Sequence, residues 1–168
     1  MTRHALLLVA IALAFSACVQ GAQGEAVTSK ELLPFKVMYL DPSYRIREVL
    51  EVSAGSVELK QFKDGALVTV GSRPAQPELL DQALAGVRKD DLRGTVEYTN
   101  PFVRDGVRTR LITPLGSVTE YGVLSLLGAG DEQRKKWPQA ILRLEPLFRL
   151  GKDWSTELSN SPRPSEDG

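Results

Sequence analysis

The sequence predicts an α+β fold, a single small domain of antiparallel hairpins packed with two to four helices. Three observations predict it. Two Asp-Gly pairs, Asp64-Gly65 and Asp105-Gly106, lie between strand-like segments and tolerate the positive φ of a tight hairpin turn. Between them "QPELLDQALAGV" places apolar residues at helical spacing. The chain is 168 residues long and 42% hydrophobic, which suits one core once its polar ends are set aside.

The elements follow in order. "FKVMYL", Phe35 to Leu40, reads as a short strand. "DPSYRIREVLEVSAG" carries a helix start, with Asp41 as N-cap and Pro42 at the first helical position. Ile46, Val49 and Leu50 then fall on one helical face, and Gly55 can end it; a strand over Tyr44 to Val52 is the alternative, because β-branched residues are frequent. "SVELKQFKDGALVTVG" is the first hairpin. A helix follows from Pro77, with Leu80, Ala83, Leu84 and Val87 inward and Arg88 and Lys89 near its negative end.

"GTVEYTNPFVRDGVRTRLITP" reads as a second hairpin, with Pro101 marking a bulge or an edge strand. Its likeness in order to the first hairpin allows an internal ββα duplication. In "GSVTEYGVLSLLGAG", Ser117 and Glu120 have the spacing of a capping box, so a helix ending at Gly128 is expected. "LGAGDE", Leu127 to Glu132, lacks the lysine of a phosphate loop and reads as a helix end and turn. "QRKKWP" reads as a helix end with Trp137 half buried. In "AILRLEPLFRL", alternation of Ala140, Leu142 and Leu144 with Ile141, Arg143 and Glu145 favours a strand that Pro146 breaks.

The two ends differ from this middle. "MTRHALLLVAIALAFSAC" begins with positive charge, runs apolar from Ala5 to Phe15, and closes on small residues, the layout of an export signal over residues 1–17. The apolar run is too short to cross a bilayer. "FSAC" resembles the lipobox of bacterial lipoproteins, although Phe15 stands where that family carries an aliphatic residue. The resemblance implies lipidation of Cys18, and Val19 after it implies sorting to the outer membrane, facing the periplasm. Cleavage after "AQG", Ala22 to Gly24, is the alternative and would release a soluble periplasmic protein. Cys18 is the only cysteine, and an exported odd thiol needs a role; acyl attachment supplies one. Residues 18–34 read as a flexible tether, 35–158 as the domain and 159–168 as a disordered Ser/Pro-rich tail.

Composition narrows the chemistry. Lys and Arg number 21 and so do Asp and Glu, which argues against a general nucleic-acid binder. His4, the single histidine, leaves with the signal. Histidine-activated nucleophiles and histidine-ligated zinc are thereby excluded from the mature chain. Carboxylates are plentiful, at Asp90-Asp91, Glu97, Glu120 and Asp131-Glu132, but none lies in a metal-loop pattern; they read as caps and solvated positions. No catalytic residue, cofactor or metal is expected.

The candidate binding residues are Arg104, Arg108 and Arg110. On a strand Arg108 and Arg110 share a face, with Val107, Thr109 and Leu111 on the other, and Arg104 lies across the turn. Such guanidiniums could grip phosphate or carboxylate groups or an acidic partner protein; a solvated outer face is the plainer reading. "FKDGALVTVGS", the following "LAGV" and "GTVEYTN" are also similar, over about a third of the chain, to the BON domain, a helix–hairpin–helix–strand unit of envelope proteins that implies phospholipid binding. "GSRPAQP" departs from that pattern, and the likeness is set aside. The function expected is therefore a membrane-anchored envelope lipoprotein that binds another protein, as an assembly factor, adaptor or accessory subunit. A module for lipid or another anionic envelope component is the alternative.

Overall fold

Residue alternation builds the first half of the sheet. In the computed structural model, which describes residues 24–99, 107–121, 132 and 135–161, strand β1 (Phe35–Leu40) turns Phe35, Val37 and Tyr39 into the core and Lys36 away from it. Strand β2 (Ile46–Val52) pairs with it antiparallel, Val37 opposite Leu50 and Phe35 opposite Val52. Strand β3 (Ser56–Lys63) continues the pattern, with Leu59 opposite Leu50 and Val57 opposite Val52. Strand β4 (Ala66–Pro74) completes a four-stranded meander. Its turn is the expected one, Asp64 and Gly65 lying at φ +49 and +86.

The helix expected from Asp41 is instead a turn and then β2. Asp41 does cap, but its Oδ1 accepts from the backbone N–H groups of Ser43 and Arg45, each at 2.9 Å, which closes an Asx turn rather than a helix. Tyr44 sits at φ +63, which ends any helix. The helix that a BON-like order needs ahead of the hairpin is therefore a strand.

Strand β5 (Gly94–Thr99) does not form the second hairpin with β6 (Arg108–Thr113). Strand β6 instead turns tightly into β7 (Gly116–Tyr121), where Thr113 Oγ1 accepts from Leu115 N–H at 3.1 Å and from Gly116 N–H at 3.2 Å. Its other edge is taken by β1, with Leu111 opposite Val37. A strand has two edges, so β5 pairs with β7, in parallel. The sheet runs β4-β3-β2-β1-β6-β7-β5. Two expectations fall with this. The capping-box helix at Ser117 is strand β7, and there is no ββα duplication, since β3 pairs with β4 whereas β5 and β6 are not neighbours. Asp105-Gly106, Pro101 and most of the Leu127–Glu132 turn lie outside the described residues.

Four helices are described: α1 (Ser29–Leu32), α2 (Pro77–Leu84), α3 (Lys89–Leu92) and α4 (Gln139–Asn160). Helix α4 overturns the strand expected at Ala140. A window of six residues reads as alternation, but over the whole segment Ile141, Leu144, Phe148, Gly151, Trp154 and Leu158 form a buried helical stripe that carries on through Pro146. The stripe packs on the sheet, and a Cβ at Gly151 would lie 3.2 Å from Val37 Cγ2, so glycine permits the close approach. Trp137, ahead of the helix, is buried rather than half buried.

Residues 24–34, read as tether, are built into the domain. Val27 and Leu32 belong to the core, Ala26 bridges to Arg88, and Lys89 Nζ lies 2.6 Å from both Glu25 and Glu31. At the other end α4 includes Ser159 and Asn160 of the expected tail. None of the described helices is long and apolar enough to cross a membrane.

Candidate functional site

Cys18 and Arg104 lie outside the described residues. Arg108 and Arg110 share the sheet face turned away from α4, as alternation predicts, with Thr109 and Leu111 buried on the other. They are not a bare cationic pair. Arg110 Nε donates to Thr119 Oγ1 at 3.0 Å, tying β6 to β7. The Arg108 guanidinium stacks 3.1 Å from the centroid of the Tyr44 ring, which the left-handed Tyr44 backbone holds over it. The β1–β2 turn thus presents an exposed aromatic ring with its cation.

A cavity of about 430 Å³ lies beside this turn, between the Leu40 end of β1, the start of β2 and the C-terminal half of α4. Tyr39, Leu40, Pro42 and Val107 line it together with the charged residues Asp41, Arg47, Glu48 and Lys152. Asp41 Oδ2 accepts from Arg47 Nη2 at 2.9 Å. The backbone N–H of Arg45, then that of Ser43, and the nearby Arg47 hold the Asp41 carboxyl below its usual range. Glu48 accepts from Gln61 Nε2 at 2.8 Å and from Ser155 Oγ at 3.1 Å. Burial pushes the Tyr39 hydroxyl well above the ordinary range, and the Glu48 and Asp153 carboxylates add to the effect. That hydroxyl bonds to no group among the described residues.

A second feature is the free edge of the meander. Phe62 and Leu67 face each other across the β3–β4 pair and are 52% and 40% exposed; Val68, on the opposite face of β4, is 39% exposed. Strand β4 is the last in the sheet, so its outer backbone groups have no partner strand among the described residues.

The carboxylates do not all sit where the sequence suggests. Asp91 is buried and holds Arg143 bidentately, Nε at 2.8 Å and Nη2 at 2.6 Å, while accepting from the Arg88 N–H at 3.0 Å. Glu120 is fully buried in β7. Among the described residues no three His, Cys, Asp or Glu side chains are grouped to hold a metal ion.

Sequence reasoning missed the cavity residues. Tyr39, Glu48 and Lys152 come from three elements, and no spacing rule joins them. Alternation along β3 and β4 could have put Phe62 and Leu67 on one face, but not shown that nothing among the described elements covers them. Set against family models, curated proteins and solved structures, the chain matches none.

Proposed function

We propose that this protein is an envelope lipoprotein, anchored through acylated Cys18, whose domain binds another protein without catalysing a reaction. The observation that carries the binding role is the β4 edge, where Phe62 and Leu67 on one face and Val68 on the other stand exposed, and the outer side of β4 has no partner strand among the described residues. An unpaired strand offers a row of backbone donors and acceptors, and neighbouring apolar side chains give the pairing a dry flank. The occupant proposed is an extended segment of a second envelope protein, added to the sheet beside β4. The lipobox-like "FSAC" supports the anchor.

Photocrosslinking of the full-length protein in its own membrane tests this. A photoreactive residue replacing Val68 is expected to give one discrete adduct, absent when the probe replaces Thr95 on β5, and lost on adding Leu67→Lys. Equal labelling from both edges, no adduct, or an adduct of two copies of this chain overturns the assignment. Mass spectrometry of the mature amino terminus tests the anchor separately: acyl chains on Cys18 support it, and a chain beginning at Glu25 overturns it.

A further inference from the structure

Resting on the reading of β4 as the edge that binds another envelope protein, we infer that β4 is open over its first half alone, Ala66–Thr69. The segment it takes there presents two successive large apolar side chains, one to each face of the sheet.

A bulge divides the strand. Leu59 lies opposite Gly71 and Lys60 opposite Thr69, so Val70 has no residue opposite it. Such an extra residue bends its strand and sharpens the twist, which interrupts an edge as a pairing surface. The second half, Gly71–Pro74, carries further obstacles. Pro74 has no N–H to give. Arg73 is drawn back to α4, where it pairs with Glu157 and lies 5.9 Å from the centroid of the Trp154 ring. Gly71 is pressed against the end of the same helix, and a Cβ there would lie 3.1 Å from the Leu158 carbonyl oxygen. A helix is about 10 Å across and neighbouring strands lie about 4.8 Å apart, so a strand added beside Gly71 would run under the flank of α4.

The first half meets none of these obstacles. Ala66, Leu67, Val68 and Thr69 include no charge and no proline, and all four are exposed. The hairpin also projects, since Phe62 and Lys63 lie beyond Glu48 opposite Gln61, the last pair between β2 and β3. Val68 is on the face turned to α4, because Gln61 opposite it donates to Glu48, which accepts from Ser155 of that helix. Helix α4 nevertheless leaves Val68 39% exposed. Leu67 and Phe62 are on the other face. Side chains of an added strand alternate as those of β4 do, so an apolar residue beside Leu67 and the next beside Val68 cover both. A strand with a single apolar face would cover only one of them. A second copy of this chain fits poorly. Two such hairpins paired over Ala66–Thr69 would meet at their tips, far below the roughly 1,200 Å² of a stable interface, whereas a pliant segment folds around both faces.

The test selects displayed random dodecapeptides on the full-length protein in lipid nanodiscs and follows their binding by amide hydrogen exchange. Selected peptides are expected to share two successive large apolar residues and to slow exchange at Ala66–Thr69 while leaving Gly71–Arg73 unchanged. Leu67→Lys and Val68→Lys are each expected to weaken binding about tenfold, since each strips an apolar contact and places a charge on the edge. The two lie on opposite faces, so one still reports should the other misfold by circular dichroism. Ser72→Lys is expected to change nothing. Exchange slowed along all of β4, binding lost with Ser72→Lys, or peptides apolar at alternate positions only, overturns the half-edge assignment. Binding indifferent to both Leu67→Lys and Val68→Lys, or no selected peptide, overturns it as well. The partner reading falls with it only if the discrete Val68 adduct is also absent.

Discussion

The two halves of the sheet solve the same packing problem differently. The meander β1–β4 is joined by short local turns and meets α4 with Phe35, Val37, Leu50, Val52, Val57 and Leu59, all buried and apolar. The half made of β6, β7 and β5 includes the one parallel pair among the described residues, and its buried positions include Thr109, Thr113, Glu120 and, in the adjoining α3, Asp91. Apolar burial is tolerant of small shifts, whereas buried polar groups require partners in fixed places. The first half is therefore held by area and the second by geometry.

The largest effect expected from breaking the second half is at Gly116. It pairs with Gly94 where β5 and β7 begin, at φ +154, and a Cβ there would collide with the backbone oxygens of Leu92 and Gly94. Gly116→Ala is expected to cost more than about 4 kcal/mol, the range of exceptional substitutions, and to abolish the cooperative thermal transition. A melting curve like that of the wild type would show that the parallel pair bends to accept a methyl group.

Next in size is the buried ion pair. Arg143→Leu leaves the Asp91 charge buried with only the Arg88 N–H to hold it, at a cost of about 3–5 kcal/mol read from urea unfolding. Adding Asp91→Asn removes the stranded charge and is expected to recover more than half of that loss. Additive losses would place the cost in packing instead, and the contrast between the halves would weaken.

The smallest effect sharpens the comparison from the meander side. Glu51 lies between Lys36 at 2.8 Å and Lys60 at 2.5 Å, and those ammonium groups, Lys36 foremost, hold its carboxyl below the usual value of 4.5. A depressed folded value gives stability that is present above the unfolded value and lost as pH falls through the folded one. Glu51→Gln is therefore expected to cost about 0.5 kcal/mol at pH 7, about 2 °C in melting temperature, and nothing at pH 2. A difference that persists in acid would assign the effect to shape rather than charge.

The same contrast decides what could be read in advance. Asp64-Gly65 and the alternation beside it are local, and they made the first hairpin legible. The placement of β5 beside β7 depends on which edges other strands have already taken, and no window of residues contains that information. Asp41-Pro42 misled because an Asp with a following Pro opens an Asx turn as readily as a helix, and Tyr44 decided between them. For α4, six residues suggested alternation where the longer segment holds a helical stripe. The shared face of Arg108 and Arg110 was legible from strand period alone. Their partners, Tyr44 and Thr119, were not, because both reach them across the sheet.

The early entry of the chain into the fold would limit how far a domain anchored at Cys18 could stray. Ala26 is already clipped to Arg88, so an acyl group on Cys18 would leave only the residues up to Gly24 as a leash, about 20 Å when fully stretched. Were the anchor present, a globule moored on so short a line would ride against the bilayer, and whatever docked with it would itself have to come down to the lipid surface.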